Sequence, residues 1–241
     1  MTDGPAAPVG RWTVGTLAEV DRLGDRLVRL RLEVEDRVDH WPGQHYVIRL
    51  RAEDGYTASR SYSVASDPGD PLLELMVECL PGGEVSAFLY DEARVGDRFE
   101  LRGPIGGWFT WHGEATAVCI GGGTGVVPLV AMLRHARRHG LTDRLRVCAV
   151  GRTLDTLPYV RELLDAGAFV ALTRENLATP LGVARVAAPP YLDEVAPLVE
   201  GAERAYVCGS VGFASYAVRL LQEAGMLTRS IRVEQFGATG Q

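Results

Sequence analysis

The spacing of apolar residues along the chain changes near Trp111. Before that residue, apolar and polar residues alternate with a period of two, most clearly over residues 28–34, which is typical of strands with one buried face. After it, apolar runs alternate with helix-length segments, as they do in βαβ units. The sequence therefore predicts an antiparallel β-barrel or sandwich over residues 11–110 and an α/β domain with a parallel sheet over residues 111–241. Residues 1–10 are predicted to be a flexible N-terminus.

The same patterns predict the individual elements. Strands of the first domain are predicted at residues 13–20, 28–34, 46–50, 62–66, 73–79 and 98–101, with one helix at residues 85–92. Strands of the second domain are predicted at residues 115–120, 145–150, 169–173, 205–208 and 231–236. Helices are predicted between them at residues 128–139, 159–166, 192–199 and 215–223. This order predicts a parallel sheet covered by helices on both faces.

Charge and composition exclude several classes of function. The net charge of −6 argues against binding of nucleic acid, which depends on clustered positive surface. All 25 basic residues are arginine, because the chain has no lysine. This excludes Schiff-base chemistry, pyridoxal phosphate and the P-loop lysine. Arginine must then bind every phosphate, and its planar guanidinium suits bidentate hydrogen bonding.

The four cysteines, Cys79, Cys119, Cys148 and Cys208, stand far apart. Without a C-x-x-C pair they argue against a zinc site and a protein-ligated iron–sulfur cluster, so no metal is predicted. Residues 1–10 have neither the basic start nor the apolar core of a secretory signal. A reducing cytoplasm is therefore the predicted location.

An uncharged stretch over residues 115–133 contains a glycine run at residues 121–125. The run and Pro128 would leave backbone polar groups unsatisfied in lipid, so no membrane span is predicted. Bare N–H groups at the start of a helix attract an anion, and glycine lets the backbone approach it closely. The run therefore predicts a diphosphate site. Val126 occupies the last glycine position of G-x-G-x-x-G, and a purely structural turn is the alternative.

Two arginines are predicted at the ends of neighbouring strands. Gly151-Arg152-Thr153 stands where NAD-binding folds place an acidic residue for the ribose hydroxyls. Thr173-Arg174-Glu175 ends the next strand. The two guanidinium groups favour a 2′-phosphate and hence NADP, whereas solvated strand-end charges are the alternative interpretation.

The first domain contains a second candidate phosphate site. Arg60-Ser61-Tyr62-Ser63 is predicted to begin a strand, with Arg60 and Tyr62 on one face and the two serines on the other. The segment 82–86 opens the helix of this domain and offers another anion-binding N-terminus. An ordinary sheet edge is the alternative. Two phosphate sites, one per domain, imply two dinucleotides that face each other.

These motifs resemble those of the ferredoxin–NADP reductase superfamily, particularly its bacterial oxygenase-reductase branch. R-x-Y-S matches residues 60–63, G-x-x-S matches residues 83–86 and G-P-x-G matches residues 103–106. G-G-T-G-x-x-P matches residues 122–128, C-G matches residues 208–209, and an acidic-x-aromatic ending matches residues 234–236. The resemblance spans nearly the whole chain, from about Arg11 to Gln241. It implies an FAD-binding β-barrel followed by an NAD(P)-binding α/β domain.

The resemblance also implies roles on the flavin side. Arg60 would bind the FAD diphosphate, Tyr62 would lie along the isoalloxazine and the ribityl chain, and the Ser63 hydroxyl would hydrogen-bond flavin N5, which accepts hydride. Backbone N–H groups of the turn at residues 83–86 would cap the diphosphate. The implied FAD-binding residues are Arg60, Ser61, Tyr62, Ser63, Val77, Gly83, Glu84, Val85 and Ser86.

On the nucleotide side, Thr124 and Cys208 would flank the nicotinamide, and Glu234 would be a polar or proton-handling group beside them. Phe236 would shield the flavin until nicotinamide displaces it. The implied nucleotide-binding residues are Gly123, Thr124, Gly125, Arg152, Thr173, Arg174, Cys208, Gly209 and Phe236. The catalytic set is predicted to be Ser63, Cys208 and Glu234.

The predicted function is an FAD-dependent oxidoreductase that takes hydride from NADPH or NADH and passes electrons to a separate redox protein. The chain lacks the iron–sulfur domain that many relatives carry, so the acceptor is expected to be another molecule, such as a ferredoxin, a haem protein or a molybdenum protein. A free-flavin reductase, with flavin as substrate, is one alternative. A non-catalytic nucleotide-binding subunit of a larger complex is another.

Overall fold

A computed structural model describes residues 11–178 and 184–236 of the chain. The predicted flexible N-terminus at residues 1–10 lies outside the described residues, as does the end of the chain at residues 237–241. The described residues fall into two compact units that are divided between Thr110 and Trp111. Of the helices in the described part, none is long and apolar enough to cross a membrane.

The first unit is a six-stranded antiparallel sheet with one helix. Its strands are β1 (Trp12–Leu23), β2 (Leu27–Val34), β3 (His45–Arg51), β4 (Thr57–Ser63), β5 (Leu73–Glu78) and β6 (Arg98–Ile105), and its helix is α1 (Glu84–Asp91). The strand order is β4-β3-β6-β1-β2-β5. A β-bridge between Val64 and Leu75 joins the chain after β4 to β5, so the two edges of the sheet approach each other as in a barrel.

Alternation along the strands builds the core of this unit. In β2, Leu30 and Leu32 are fully buried, whereas Arg31 between them is more exposed. Ile48 from β3 and Leu101 from β6 join the same core. Burial of each such side chain stabilises the fold by about 1.5–3 kcal/mol. The predicted β architecture of this half is confirmed.

The second unit is a parallel sheet with helices. The elements are β7 (Ala117–Gly122), α2 (Val127–His139), β8 (Leu145–Gly151), α3 (Val160–Asp165), β9 (Phe169–Leu172), β10 (Leu177–Ala178), β11 (Ala184–Arg185), α4 (Leu192–Val199), β12 (Arg204–Gly209), α5 (Val211–Glu223) and β13 (Ile231–Gln235). The five-stranded sheet has the order β13-β12-β7-β8-β9, and β10 pairs with β11 in a separate hairpin. All pairs in the main sheet are parallel, which confirms the predicted α/β architecture.

The strand order reverses next to β7. The chain runs from β7 to β8 and β9 on one side and then adds β12 and β13 on the other. In open α/β sheets, ligands bind outside the carboxyl ends of the strands at such a switch point. The carboxyl ends of β7 and β12 meet there, and they carry the glycine run and the Cys208-Gly209 pair.

Several element boundaries differ from the prediction, and two of the differences bear on the candidate sites. Residues 60–63 end β4 rather than begin it, because β4 pairs with β3 from Thr57 onward although most of its residues are polar. Helix α5 begins at Val211 instead of Ser215. The Ser210 hydroxyl accepts a hydrogen bond from the Phe213 N–H at 3.4 Å and caps the earlier start.

Candidate functional site

Strand β4 presents the R-x-Y-S residues on two faces. Arg60 pairs with Ile48 and Tyr62 pairs with Tyr46, and both partners are buried in the core. Residues that lie opposite each other in a sheet share a face, so Arg60 and Tyr62 share one face of β4, on which Tyr62 packs against the core and Arg60 is exposed. Ser61 and Ser63 stand on the opposite side, and the predicted division of the motif between two faces is confirmed.

Two hydroxyl groups of this strand have their oxygen atoms buried. Among the described residues, neither Tyr62 Oη nor Ser63 Oγ has a hydrogen-bond partner, and Ser63 is only 5% exposed. Burial raises the pKa of Tyr62 well above its usual value. Because an unsatisfied buried polar group costs about 1–3 kcal/mol, this pair fits a ligand that supplies polar atoms here.

A glycine turn leads into α1. Ser86 Oγ accepts from the Leu80 N–H and donates to the Gly83 carbonyl, each at 3.2 Å, and so fixes the turn. The first helical hydrogen bond runs from the Ala87 N–H to the Gly83 carbonyl. The N–H groups of Glu84, Val85 and Ser86 precede that bond and have no acceptor within the helix. This arrangement fits an anion and agrees with the predicted diphosphate cap.

Two further predicted flavin-site residues lie in contrasting environments. Arg60 is exposed, and its Nη1 donates to the Ser59 carbonyl at 2.7 Å. Within the described ranges its guanidinium has no carboxylate partner, which leaves its charge available to an anion. Val77 is fully buried in β5 as a member of the core, and its role in FAD binding stays a prediction.

The glycine run continues from β7 into a 3-10 turn at Gly123–Val126 and then into α2. A Cβ atom on Gly125 would clash with the Cys208 carbonyl, and one on Gly122 would lie 2.7 Å from the Phe213 ring. Gly123 has a φ of +57°, which favours glycine. The turn therefore requires glycine for close packing against β12, and this packing brings Thr124 to the switch point.

Cys208 and Glu234 meet at the carboxyl ends of β12 and β13. They are register partners, and the Phe236 N–H donates to the Gly209 carbonyl at 3.0 Å just beyond them. Burial raises the pKa of Glu234 to about 7. Burial, and then the charge of Glu234, raise the pKa of the Cys208 thiol far above its usual value. At neutral pH, Cys208 is a thiol and Glu234 is close to its titration midpoint.

Arg152 and Arg174 lie just after the carboxyl ends of β8 and β9, the two strands on the other side of β7 from β12 and β13. The Arg174 N–H donates to the Arg152 carbonyl at 2.9 Å, and the Thr173 N–H and Oγ1 both donate to the Gly151 carbonyl. Both arginine side chains are exposed, and neither forms an ion pair with any residue that the structure describes. Two exposed cations at adjacent strand ends are suited to a phosphate group.

Two contacts beside these sites were not predicted from the sequence. Tyr56 Oη donates to Glu84 Oε2 at 2.9 Å, and the Leu154 N–H donates to Glu175 Oε2 at 2.9 Å. The first contact links the residue before β4 to α1, and the second fixes the turn after Arg152. The acidic residue that opens α1 was the available signal for the first, because carboxylates are favoured in the first turn of a helix.

Comparison with known proteins shows what the chain is similar to. Residues 16–110 match the oxidoreductase FAD-binding domain family. Over 236 residues, the chain is 26% identical to the ferredoxin–NAD(P)(+) reductase component of the naphthalene 1,2-dioxygenase/salicylate 5-hydroxylase systems of Ralstonia sp., covering 94% of the chain and 69% of that protein. It is 31% identical over 206 residues to the reductase component of propane 2-monooxygenase from Rhodococcus jostii (strain RHA1), covering 81% of the chain but 55% of the relative.

A solved structure shows the same fold. The ferredoxin NADP+ reductase from Neisseria gonorrhoeae, with bound FAD and NADP, superposes with a TM-score of 0.76 at 17% identity and covers 94% of this chain and 99% of that one. The shared fold is an antiparallel six-stranded unit followed by a parallel five-stranded sheet with helices. The chain is thus similar in sequence to reductase components of oxygenase systems, and it shares the fold of this reductase.

Proposed function

We propose that this protein takes reducing equivalents from NADPH or NADH and passes them through FAD to a separate redox protein. The buried hydroxyls of Tyr62 and Ser63, which have no hydrogen-bond partner among the described residues, are the observation that carries the proposal. These groups need a polar ligand, and they stand on the strand whose Arg60 has no carboxylate partner among the described residues. FAD, when bound, supplies the chemistry that accepts a hydride and releases single electrons.

The protein's own residues would bind and orient FAD and the nicotinamide nucleotide. Arg60 and the N–H groups at the start of α1 would hold the diphosphate, Tyr62 would position the flavin ring, and the Ser63 hydroxyl would be a hydrogen-bond partner for the ring. In the second unit, Thr124 and Cys208 position the nicotinamide. Glu234, with a pKa of about 7, can hold or release a proton at its carboxyl near neutral pH.

The preferred nucleotide is NADPH. Arg152 and Arg174 support this choice, since both are exposed cations without an ion-pair partner in the described part of the chain. Their backbones are joined by a 2.9 Å hydrogen bond, so the two guanidinium groups start from adjacent positions. A doubly charged 2′-phosphate suits such a pair, whereas the 2′-hydroxyl of NADH gains less from it.

The electron acceptor is a ferredoxin or the terminal component of an oxygenase. The names of the relatives support this choice, because they are reductase components of dioxygenase and monooxygenase systems. A haem or molybdenum protein would be the alternative acceptor. The location is the cytoplasm, and four cysteines that are all free thiols support a reducing compartment.

Reduction of an acceptor tests the proposal. The protein is saturated with FAD, mixed with NADPH and supplied with ferricyanide as an artificial one-electron acceptor. We expect turnover that requires FAD and is lost when Arg60→Ala is combined with limiting FAD. Ferricyanide reduction that does not depend on FAD, or none with either nicotinamide, would refute the proposal.

A further inference from the structure

Tyr56 and Glu84 form a clasp between the start of β4 and the start of α1. The Tyr56 hydroxyl donates to Glu84 Oε2 at 2.9 Å. The tyrosine backbone is fixed as well, since its N–H donates to Asp54 Oδ1 and its carbonyl accepts from the Ala52 N–H, both at 2.9 Å. Glu84 is the first residue of α1. The clasp therefore holds a carboxylate at the N-terminus of this helix.

The Glu84 carboxylate lies in the same region as Arg60, the cation that is predicted to bind the FAD diphosphate. The hydrogen bond to Glu84, and then the charge of Glu84, raise the pKa of Tyr56, and the charge of Arg60 opposes them. The charges of Glu84 and Arg60 therefore both act on the Tyr56 hydroxyl. Arg60 donates to the Ser59 carbonyl instead of a carboxylate, so its cation and the Glu84 anion remain separate charges at this end of the unit.

We propose that Glu84, held in place by Tyr56, weakens the binding of the FAD diphosphate and keeps the cofactor exchangeable. This inference rests on the proposed function. A carboxylate in the first turn already interacts with the positive end of α1, for which the diphosphate must compete. It also repels the doubly charged diphosphate. Riboflavin has no phosphate and does not experience this repulsion, so Glu84 discriminates between flavins by their charge.

Flavin affinity is the test, measured by quenching of flavin fluorescence on the full chain. The variant is Glu84→Gln, which keeps an oxygen that accepts from Tyr56 while it removes the charge. The matched control is Glu92→Gln, the same substitution at the exposed C-terminal end of α1. We expect Glu84→Gln to tighten FAD about three- to tenfold, as expected for a screened charge pair near the surface.

The comparison between flavins separates the outcomes. Riboflavin affinity should stay the same in Glu84→Gln, and Glu92→Gln should match the wild type for both flavins. Equal FAD affinity in Glu84→Gln and the wild type would overturn the role of Glu84 while the reductase function stands. Equal tightening of riboflavin and FAD would also overturn it, because the effect would not depend on phosphate charge. If neither protein bound FAD, both this inference and the proposed function would fail.

Discussion

Cys208 and Glu234 are register partners on the adjacent parallel strands β12 and β13. Burial raises the pKa of Glu234 to about 7, and the pKa of Cys208 is raised by burial and then by Glu234. The pair therefore stays uncharged up to near neutral pH. A carboxyl group in this state is protonated in a substantial fraction of molecules at neutral pH, whereas an ordinary surface glutamate is almost fully ionised there.

Glu234→Gln should change how stability depends on pH. The pKa of Glu234 is raised from a usual value of 4.5 to about 7, so the folded state disfavours the carboxylate. The contribution of the protonated Glu234 carboxyl to the free energy of unfolding is fully present below pH 4.5. It is lost as the pH rises through 7. From pH 5 to pH 8 the wild type should lose on the order of 2 kcal/mol more than the variant. Urea unfolding at both pH values measures the difference.

The control for this experiment is Glu223→Gln, which removes an exposed carboxylate from the end of α5. Its free energy of unfolding should follow the wild type at both pH values. If Glu234→Gln also followed the wild type, the raised pKa of Glu234 would be wrong.

Arg174→Ala should weaken NADPH binding far more than NADH binding. A charge-assisted hydrogen bond to phosphate contributes about 1.5–3 kcal/mol, so the KM for NADPH should rise about 10- to 150-fold. Arg161→Ala, which removes an exposed arginine from α3, should leave both KM values unchanged. Equal effects of Arg174→Ala on the two nucleotides would exclude a 2′-phosphate role.

Ser63→Ala should slow flavin reduction while FAD remains bound. A hydroxyl that acts on the reacting end of the ring matters more in the transition state than for affinity. A lost hydrogen bond of about 1–1.5 kcal/mol corresponds to a roughly 5- to 15-fold slower step. Stopped-flow absorbance measures it, with Ser59→Ala as the exposed control on the same strand. An unchanged rate with bound FAD would remove Ser63 from the catalytic residues.

Gly125→Ala should destabilise the second unit. Its Cβ would meet the backbone carbonyl of Cys208, which cannot move without disturbing β12. Overpacking of this kind costs about 1–3 kcal/mol, so the melting temperature should fall by several degrees. Gly212→Ala is the control, since a Cβ there meets nothing within 4 Å and lies at the start of α5. A Gly125→Ala protein with the wild-type melting temperature would contradict the close packing.

The fold could be predicted because its periodicities are local. Alternation over residues 28–34 identified β2, and the apolar run before the glycines identified β7. Strand β4 was harder to delimit. Its residues from Thr57 to Ser61 are mostly polar and exposed, and only pairing with β3 defines them as a strand. The two-residue strands of the β10–β11 hairpin are too short for any periodic pattern to appear.

The residues of the candidate sites could be predicted from sequence motifs, but their burial, hydrogen bonds and pKa shifts could not. The sequence indicated Cys208 and Glu234, whereas the raised pKa of Glu234 depends on how deeply the fold buries it. The clasp between Tyr56 and Glu84 joins two exposed residues across a long separation in sequence, and no local pattern predicts such a contact. Contacts of this kind follow from the register of β4 and the position of α1 in the finished fold.

The decisive measurement is anaerobic mixing of NADPH with the FAD-loaded protein while the flavin absorbance is followed. We predict that the yellow absorbance bleaches within seconds, and that adding a one-electron acceptor restores it. An FAD-loaded protein whose absorbance stays unchanged with both NADPH and NADH would contradict the assignment as a reductase.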